Sequence, residues 1–165
     1  MTRELPGPAL LRLRDDGHDV DVHPGALPPA RAELQAGVAE ADGLLSLLTD
    51  TVDAALLAAA PRLRAIANYA VGCDNIDLAA AGARAIPVGA TPGVLTDATA
   101  DLTMALLLAA ARRLPEAQAA VHDGRWRTWE PRGWLGLELR GARLAVVGLG
   151  RIGRAVAERA TAFGM

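Results

Sequence analysis

The sequence contains no lysine: all 17 of its basic residues are arginine. We read this, together with the abundance of alanine, as genome composition rather than mechanism. Charge of one sign is not in excess either. A formal net charge of -2 argues against a nucleic-acid binder, which would show a basic face. Cysteine occurs once, at Cys73, which excludes an intrachain disulfide framework and fits a reducing cytoplasm, the expected location. Long apolar runs are missing. The longest, Met104 to Ala111, falls far short of the ~20 residues needed to span a bilayer, and no membrane role is expected. The amino terminus shows no basic region followed by an apolar core, so no signal peptide is expected. Histidine occurs only at His18, His23 and His122. These have no metal-ligand spacing and no Ser/His/Asp arrangement, and each reads as a surface residue. What remains is a chain of 165 residues, 52% hydrophobic, enough for one ordinary domain or pieces of two.

In chain order, strand-like and helix-like stretches alternate with short links. Ala9 to Arg14 predicts a short helix ended by Gly17, and Val20-Asp21-Val22 a strand. There is no room for a strand before Pro6. Ala30 to Ala39 predicts a helix and Gly43 to Leu47 a buried strand. Thr51 or Asp53 can cap a helix running to Ala60, which Pro61 stops. Leu63 to Tyr69 is the next strand. Asp77 caps a helix to Ala83, and Ala85 to Val88 is another strand. Such alternation implies a parallel sheet covered on both faces. Thr96 to Arg113 then reads as one long helix capped by Thr96 or Asp97, with Leu102, Ala105, Leu106, Ala109 and Arg113 at helical spacing. It is apolar on more than one face, so burial between domains or subunits is expected. Pro115 breaks it, Glu116 to His122 is a second short helix, and Arg125 to Gly136 is a tryptophan-rich loop.

The last quarter carries the most specific pattern. Leu144-Ala145-Val146-Val147 predicts a short strand. It is followed by Gly148-Leu149-Gly150-Arg151-Ile152-Gly153 and a helix with Ile152, Val156, Ala160 and Phe163 on one stripe. Strand, Gly-x-Gly-x-x-Gly turn and helix form the opening of a dinucleotide-binding βαβ unit. Gly148 permits the tight turn, Gly150 lets the backbone approach a pyrophosphate, and Gly153 lets the helix pack closely. The first-turn N–H groups and the helix dipole then favour phosphate. The ribose-reading residue belongs about 20 residues further on, beyond Met165, so NAD and NADP both remain open.

Four stretches together resemble the D-2-hydroxyacid dehydrogenase family, with the closest similarity to its glyoxylate/hydroxypyruvate reductase branch. They are Asn68-Tyr69-Ala70-Val71-Gly72-Cys73-Asp74-Asn75-Ile76-Asp77, Thr91-Pro92-Gly93-Val94-Leu95-Thr96-Asp97-Ala98-Thr99-Ala100-Asp101-Leu102, Gly124-Arg125-Trp126-Arg127-Thr128-Trp129-Glu130-Pro131, and the glycine turn. The resemblance implies an α/β protein with a flavodoxin-like substrate domain, its N-terminal part over residues 1–94, followed by the truncated start of a Rossmann dinucleotide-binding domain over 95–165. It implies NAD(P)H-dependent reduction of a small 2-oxo acid, or the reverse oxidation of a 2-hydroxy acid, by a homodimer when full length. It also implies that the backbone N–H groups of Val71 and Gly72 hold the substrate carboxylate. That suits a nest of amides, although a turn needing Gly72 for its shape is the alternative. Thr99 would touch the nicotinamide end of the cofactor, or else be a helix-surface threonine. Gly148, Gly150, Arg151, Ile152 and Gly153 would bind the pyrophosphate, with Arg151 adding its side chain. Trp129 would reach a partner subunit's site and shape substrate choice, where a packing anchor is the alternative.

Reduction of a ketone also needs a proton donor and a cation on the carboxylate. The family's His, Glu and Arg lie downstream of the glycine turn, so no catalytic residue is expected within this chain, and it should be inactive alone. A non-catalytic NAD-binding regulator of the corepressor kind, or an alanine dehydrogenase-like Rossmann enzyme, would share part of the pattern. The Val71-Gly72 and Trp129 loops favour the hydroxyacid dehydrogenase over the last of these.

Overall fold

The computed structural model describes all 165 residues, which divide into two compact units, Met1–Pro92 and Gly93–Met165.

The first unit is built on a three-stranded parallel sheet in the order β1 (Gly43–Leu47), β2 (Ala65–Tyr69), β3 (Val88–Gly89). Leu44 stands opposite Ile66, and Ile66 opposite Val88. Helices α1 (Ala9–Asp15) and α2 (Arg31–Val38) precede the sheet, and α3 (Ala54–Ala58) and α4 (Leu78–Ala83) make the crossovers. Along β2, Ile66 and Asn68 point inward while their neighbours point out, as the two-residue period of a strand requires. One core joins Leu34 and Val38 of α2, Leu44, Val52, Leu56, Leu57, Ile66, Ile76 and Ile86. Helix α3 is short because both ends are fixed by side chains. Asp53 accepts the N–H of Leu56 at 2.8 Å, and the Arg84 guanidinium donates to the carbonyls of Leu57 and Ala60 at the other end.

The Asp53 carboxyl is held below the ordinary aspartate range, first by its hydrogen bond from Arg31 and then by the N–H of Leu56. A carboxylate whose folded pKa is depressed contributes stability above its unfolded pKa of about 4, and loses it as pH falls through the folded value. Asp53→Ala is therefore expected to lower Tm at pH 7 and to lower it progressively less towards pH 3. Thermal melts of both proteins across that range check this.

Residues Val20 to Val22 belong to no assigned strand. They lie beside residues 1–3, with the N–H of His23 donating to the Met1 carbonyl at 3.0 Å. On the other side the N–H of Thr2 donates to the Leu45 carbonyl at 3.0 Å. The stretch before Pro6 therefore lies alongside β1 without forming a strand. The expected strand at Ala85 to Val88 begins late, because Ala85 takes a left-handed φ of 53°.

The second unit contains α5 (Thr96–Ala111), α6 (Leu114–His122) and α7 (Arg151–Ala162). The long helix is one continuous element, but neither Thr96 nor Asp97 caps it. Leu95 occupies the N-cap without a side-chain hydrogen bond, and the Asp97 carboxylate instead accepts from Arg159 of α7 at 3.1 Å. Arg159 also donates to Asp101 at 2.6 Å. The two carboxylates, Asp101 foremost, raise the pKa of its guanidinium. Helix α5 breaks at Arg112–Arg113, where Arg113 is left-handed (φ 54°) and Pro115 enters the first turn of α6. The buried face of α5 is Ala100 and Met104, packed on Val156 and Ala160 of α7. The Leu102 and Leu106 side is exposed within this chain. On α7, Val156 and Ala160 are buried as the stripe predicts, whereas Phe163 is exposed. No helix is long and apolar enough to cross a membrane.

Leu144 to Val147 forms no assigned strand. A β-strand exists only through a hydrogen-bonded neighbour, and the second unit contains no other extended segment that pairs with it. The alternation is nevertheless present. Leu144 is half-buried against the α5–α7 core, and Val147 is fully exposed.

Candidate functional site

Two loops carry the candidate residues, one in each unit.

In the first unit, Val71 and Gly72 follow β2 at its carboxyl end, where ligands sit in open parallel sheets. Both are exposed. The N–H groups of Val71, Gly72 and Cys73 donate to no acceptor in the chain. Gly72 is not required by the shape of the turn, because its φ lies outside the left-handed region. A Cβ there would meet only the Asp74 carboxylate, at 3.2 Å. Three unused donors on one short loop suit an anion. Beneath the loop lies a buried polar network. Asn68 donates to the Gly72 carbonyl and to Asn75 Oδ1, both at 2.9 Å, and accepts from the Ser46 hydroxyl at 3.0 Å. Asn75 in turn donates to the carbonyls of Leu47 and Asp50 at 3.0 and 2.9 Å. Sequence reasoning assigned these residues no role. The available signal was an asparagine at a position where the alternation of β2 called for an apolar side chain.

In the second unit the glycine turn joins the extended segment to α7. Its three glycines have three different reasons. Gly148 has φ 92°, a left-handed conformation that favours glycine. At Gly153 a Cβ would overlap the Gly148 carbonyl oxygen and stand 3.3 Å from the Val146 side chain, so helix and turn meet without room for a side chain. Gly150 has neither reason. Its φ of -76° suits any residue, and nothing in the chain lies within 4 Å of a Cβ built on it. Gly150 is the N-cap of α7 with no side-chain hydrogen bond. The N–H groups of Arg151, Ile152 and Gly153 find no acceptor. The exposed Arg151 guanidinium lies beside Gly93, 3.6 Å from where a Cβ would stand. An open space over Gly150, three free donors, a helix dipole and one guanidinium together fit a diphosphate.

Thr99 is half-buried in the first turn of α5, one residue before Ala100, which packs on α7. Its carbonyl accepts from Thr103 at 2.8 Å. Trp129 is 77% exposed. Trp134 is the packed tryptophan of this loop, with the Arg113 guanidinium 5.7 Å from its ring centre. His23 departs from the sequence reading: it is half-buried, with its ring against Gly25. His18 and His122 are exposed. No three His, Cys, Asp or Glu side chains gather closely enough to hold a metal.

A parallel sheet with its crossover helices, and a glycine turn opening a helix, define an α/β protein. Comparison with known proteins is more specific. Residues 1–163 match the model of the D-isomer specific 2-hydroxyacid dehydrogenase, catalytic domain, family, and the chain belongs to that family. It is 47% identical over 166 residues to a glyoxylate reductase of Korarchaeum cryptofilum, which covers all of this chain and 50% of that protein. Among solved structures, a Thermus thermophilus protein is 54% identical with a TM-score of 0.95, covering 99% of this chain and 52% of that one. D-lactate dehydrogenase from Aquifex aeolicus, solved with NAD and lactic acid, is 26% identical with a TM-score of 0.77, covering 98% and 47%. The chain thus spans about half the length of the curated relatives it matches.

Proposed function

We propose that this chain is the part of an NAD(P)-dependent D-2-hydroxyacid dehydrogenase that holds the diphosphate of NAD or NADP and the carboxylate of a small 2-oxo acid, with glyoxylate or hydroxypyruvate as the substrate. The observation that carries the reading is Gly150. Its backbone conformation and its surroundings within the chain would accept a side chain, so the glycine is explained by a ligand that must approach the backbone there. Bound nicotinamide supplies the hydride. The chain's own residues bind and orient. The amides of Arg151 and Ile152, with the Arg151 guanidinium, hold the diphosphate; Gly148 and Gly153 shape the turn; Thr99 lines the nicotinamide end. The amides of Val71 and Gly72 take the carboxylate, which fixes the substrate's orientation without a mobile side chain. The exposed Leu102–Leu106 side of α5 and the exposed Trp129 support a homodimer in which Trp129 reaches the partner's site. The proton donor and the carboxylate-binding cation come from outside this segment.

The test is catalytic. A polypeptide of the relatives' length carrying this segment is expected to oxidise NADH or NADPH in the presence of glyoxylate, and the 165-residue chain alone is not. Glyoxylate-dependent turnover by the chain alone, or none by the longer polypeptide, contradicts the proposal. In the longer protein Trp129→Ala is expected to change the ratio of kcat/KM for glyoxylate and hydroxypyruvate by about tenfold, the scale of one lost pocket contact. Equal loss for both substrates would reduce Trp129 to packing.

A further inference from the structure

Two peptide units of the Val71–Gly72 loop are tied down through their carbonyls. The Ala70 carbonyl accepts from the Thr91 N–H at 2.8 Å and from the Thr91 hydroxyl at 3.1 Å. The Gly72 carbonyl accepts from Asn68 at 2.9 Å. A trans peptide is planar, so its C=O and the following N–H point in opposite directions. Anchoring the Ala70 carbonyl on Thr91 therefore turns the Val71 N–H away from Thr91. Anchoring the Gly72 carbonyl on Asn68 turns the Cys73 N–H away from the buried carboxamide.

Asn68 is 2% exposed, and its carboxamide is saturated. Ser46 and, more weakly, Asn75 donate to its oxygen, while its nitrogen donates to Gly72 and Asn75. A buried amide with every partner in place holds one geometry, since any rotation would strand a polar group out of water. An apolar side chain would have filled the same inward position of β2 beside Ile66 at no desolvation cost.

We propose that Asn68 is the positioning residue of the carboxylate nest, its buried side chain holding the Gly72–Cys73 peptide so that Cys73 N–H becomes a third donor beside those of Val71 and Gly72. This rests on the carboxylate reading of the loop given above. Asn68 touches no substrate and acts only through the backbone, with Asn75 bracing it from the loop.

The experiment is an amide NMR titration of the chain with oxalate, a stable dicarboxylate of the size of glyoxylate. In the unaltered chain the amides of Val71, Gly72 and Cys73 are expected to shift together. In Asn68→Ala the Cys73 shift is expected to vanish and the oxalate Kd to rise about tenfold, the worth of one well-placed hydrogen bond. Arg62→Ala, whose side chain pairs only with Glu40 and Asp42 at the surface, is expected to stay within about twofold. Oxalate binding by Asn68→Ala equal to that of the unaltered chain overturns the positioning role and leaves the carboxylate site standing. No loop shift in the unaltered chain overturns the site, and this inference with it. If Asn68→Ala does not fold, the unaltered chain decides: the Asn68 side-chain amide signals move with Gly72 on saturation, or the inference is wrong.

Discussion

Gly153→Ala is expected to destabilise the second unit by about 2 kcal/mol. The sign is decided by two opposed effects. Alanine in place of glycine inside a helix normally stabilises by about 1 kcal/mol. Here the new Cβ overlaps the backbone oxygen of Gly148 and crowds Val146. Overpacking of that kind costs about 1–3 kcal/mol, and more when the obstacle is backbone that cannot rotate away. The clash wins, so α7 must lift from the turn. For a unit of this size the loss corresponds to roughly 10 °C in Tm. Calorimetry or circular dichroism of the chain checks it. An unchanged or raised Tm would mean that the close approach of helix and turn is not as described.

Gly150→Val should separate fold from function. No atom of the chain lies within 4 Å of a Cβ at Gly150 and its φ is ordinary, so the folded chain accommodates the side chain. An N-cap without a side-chain hydrogen bond has little to lose, and Tm should move by no more than ~1 kcal/mol equivalent. Dinucleotide affinity should fall by about a hundredfold or more, because the branched side chain occupies the space over the free amides and excludes the diphosphate from the helix N-terminus. Tm and the Kd for NADH or NADPH, measured on the same preparation, test both halves. A variant that binds as well as the unaltered chain would remove the reason offered here for Gly150.

How far the sequence was legible depended on whether each element is self-contained. β1 is found at Gly43–Leu47 and α4 at Leu78–Ala83 capped by Asp77, since apolar runs and caps are local. The glycine turn was legible for the same reason: Gly148 and Gly153 act on atoms a few residues away. The segment at Leu144–Val147 was not, because a strand is a property of a pair. Its β character is in the side chains while its ladder partner is absent from the second unit. The cap of α5 was misread because Asp97 has a competing use in Arg159, sixty-two residues away, which spacing cannot reveal. The same holds for the stripe on α5. Several faces are apolar, and the residues of α5 buried against α7 are the small Ala100 and the flexible Met104. At the candidate site, the exposed loop at Val71 and Gly72 was readable from the motif. The support beneath it was not, because Ser46, Asn68 and Asn75 come together only when β1 and β2 pair in register and the loop folds back over them.

Titrating the isotopically labelled chain with NADH and with ADP-ribose tests most directly whether a dinucleotide diphosphate rests on the turn at residues 148–153. The expected result is that both ligands move the amides of Gly150, Arg151, Ile152 and Gly153 first and furthest, with Arg151→Ala weakening both. Binding that leaves these four amides in place while signals elsewhere in the chain respond would contradict it.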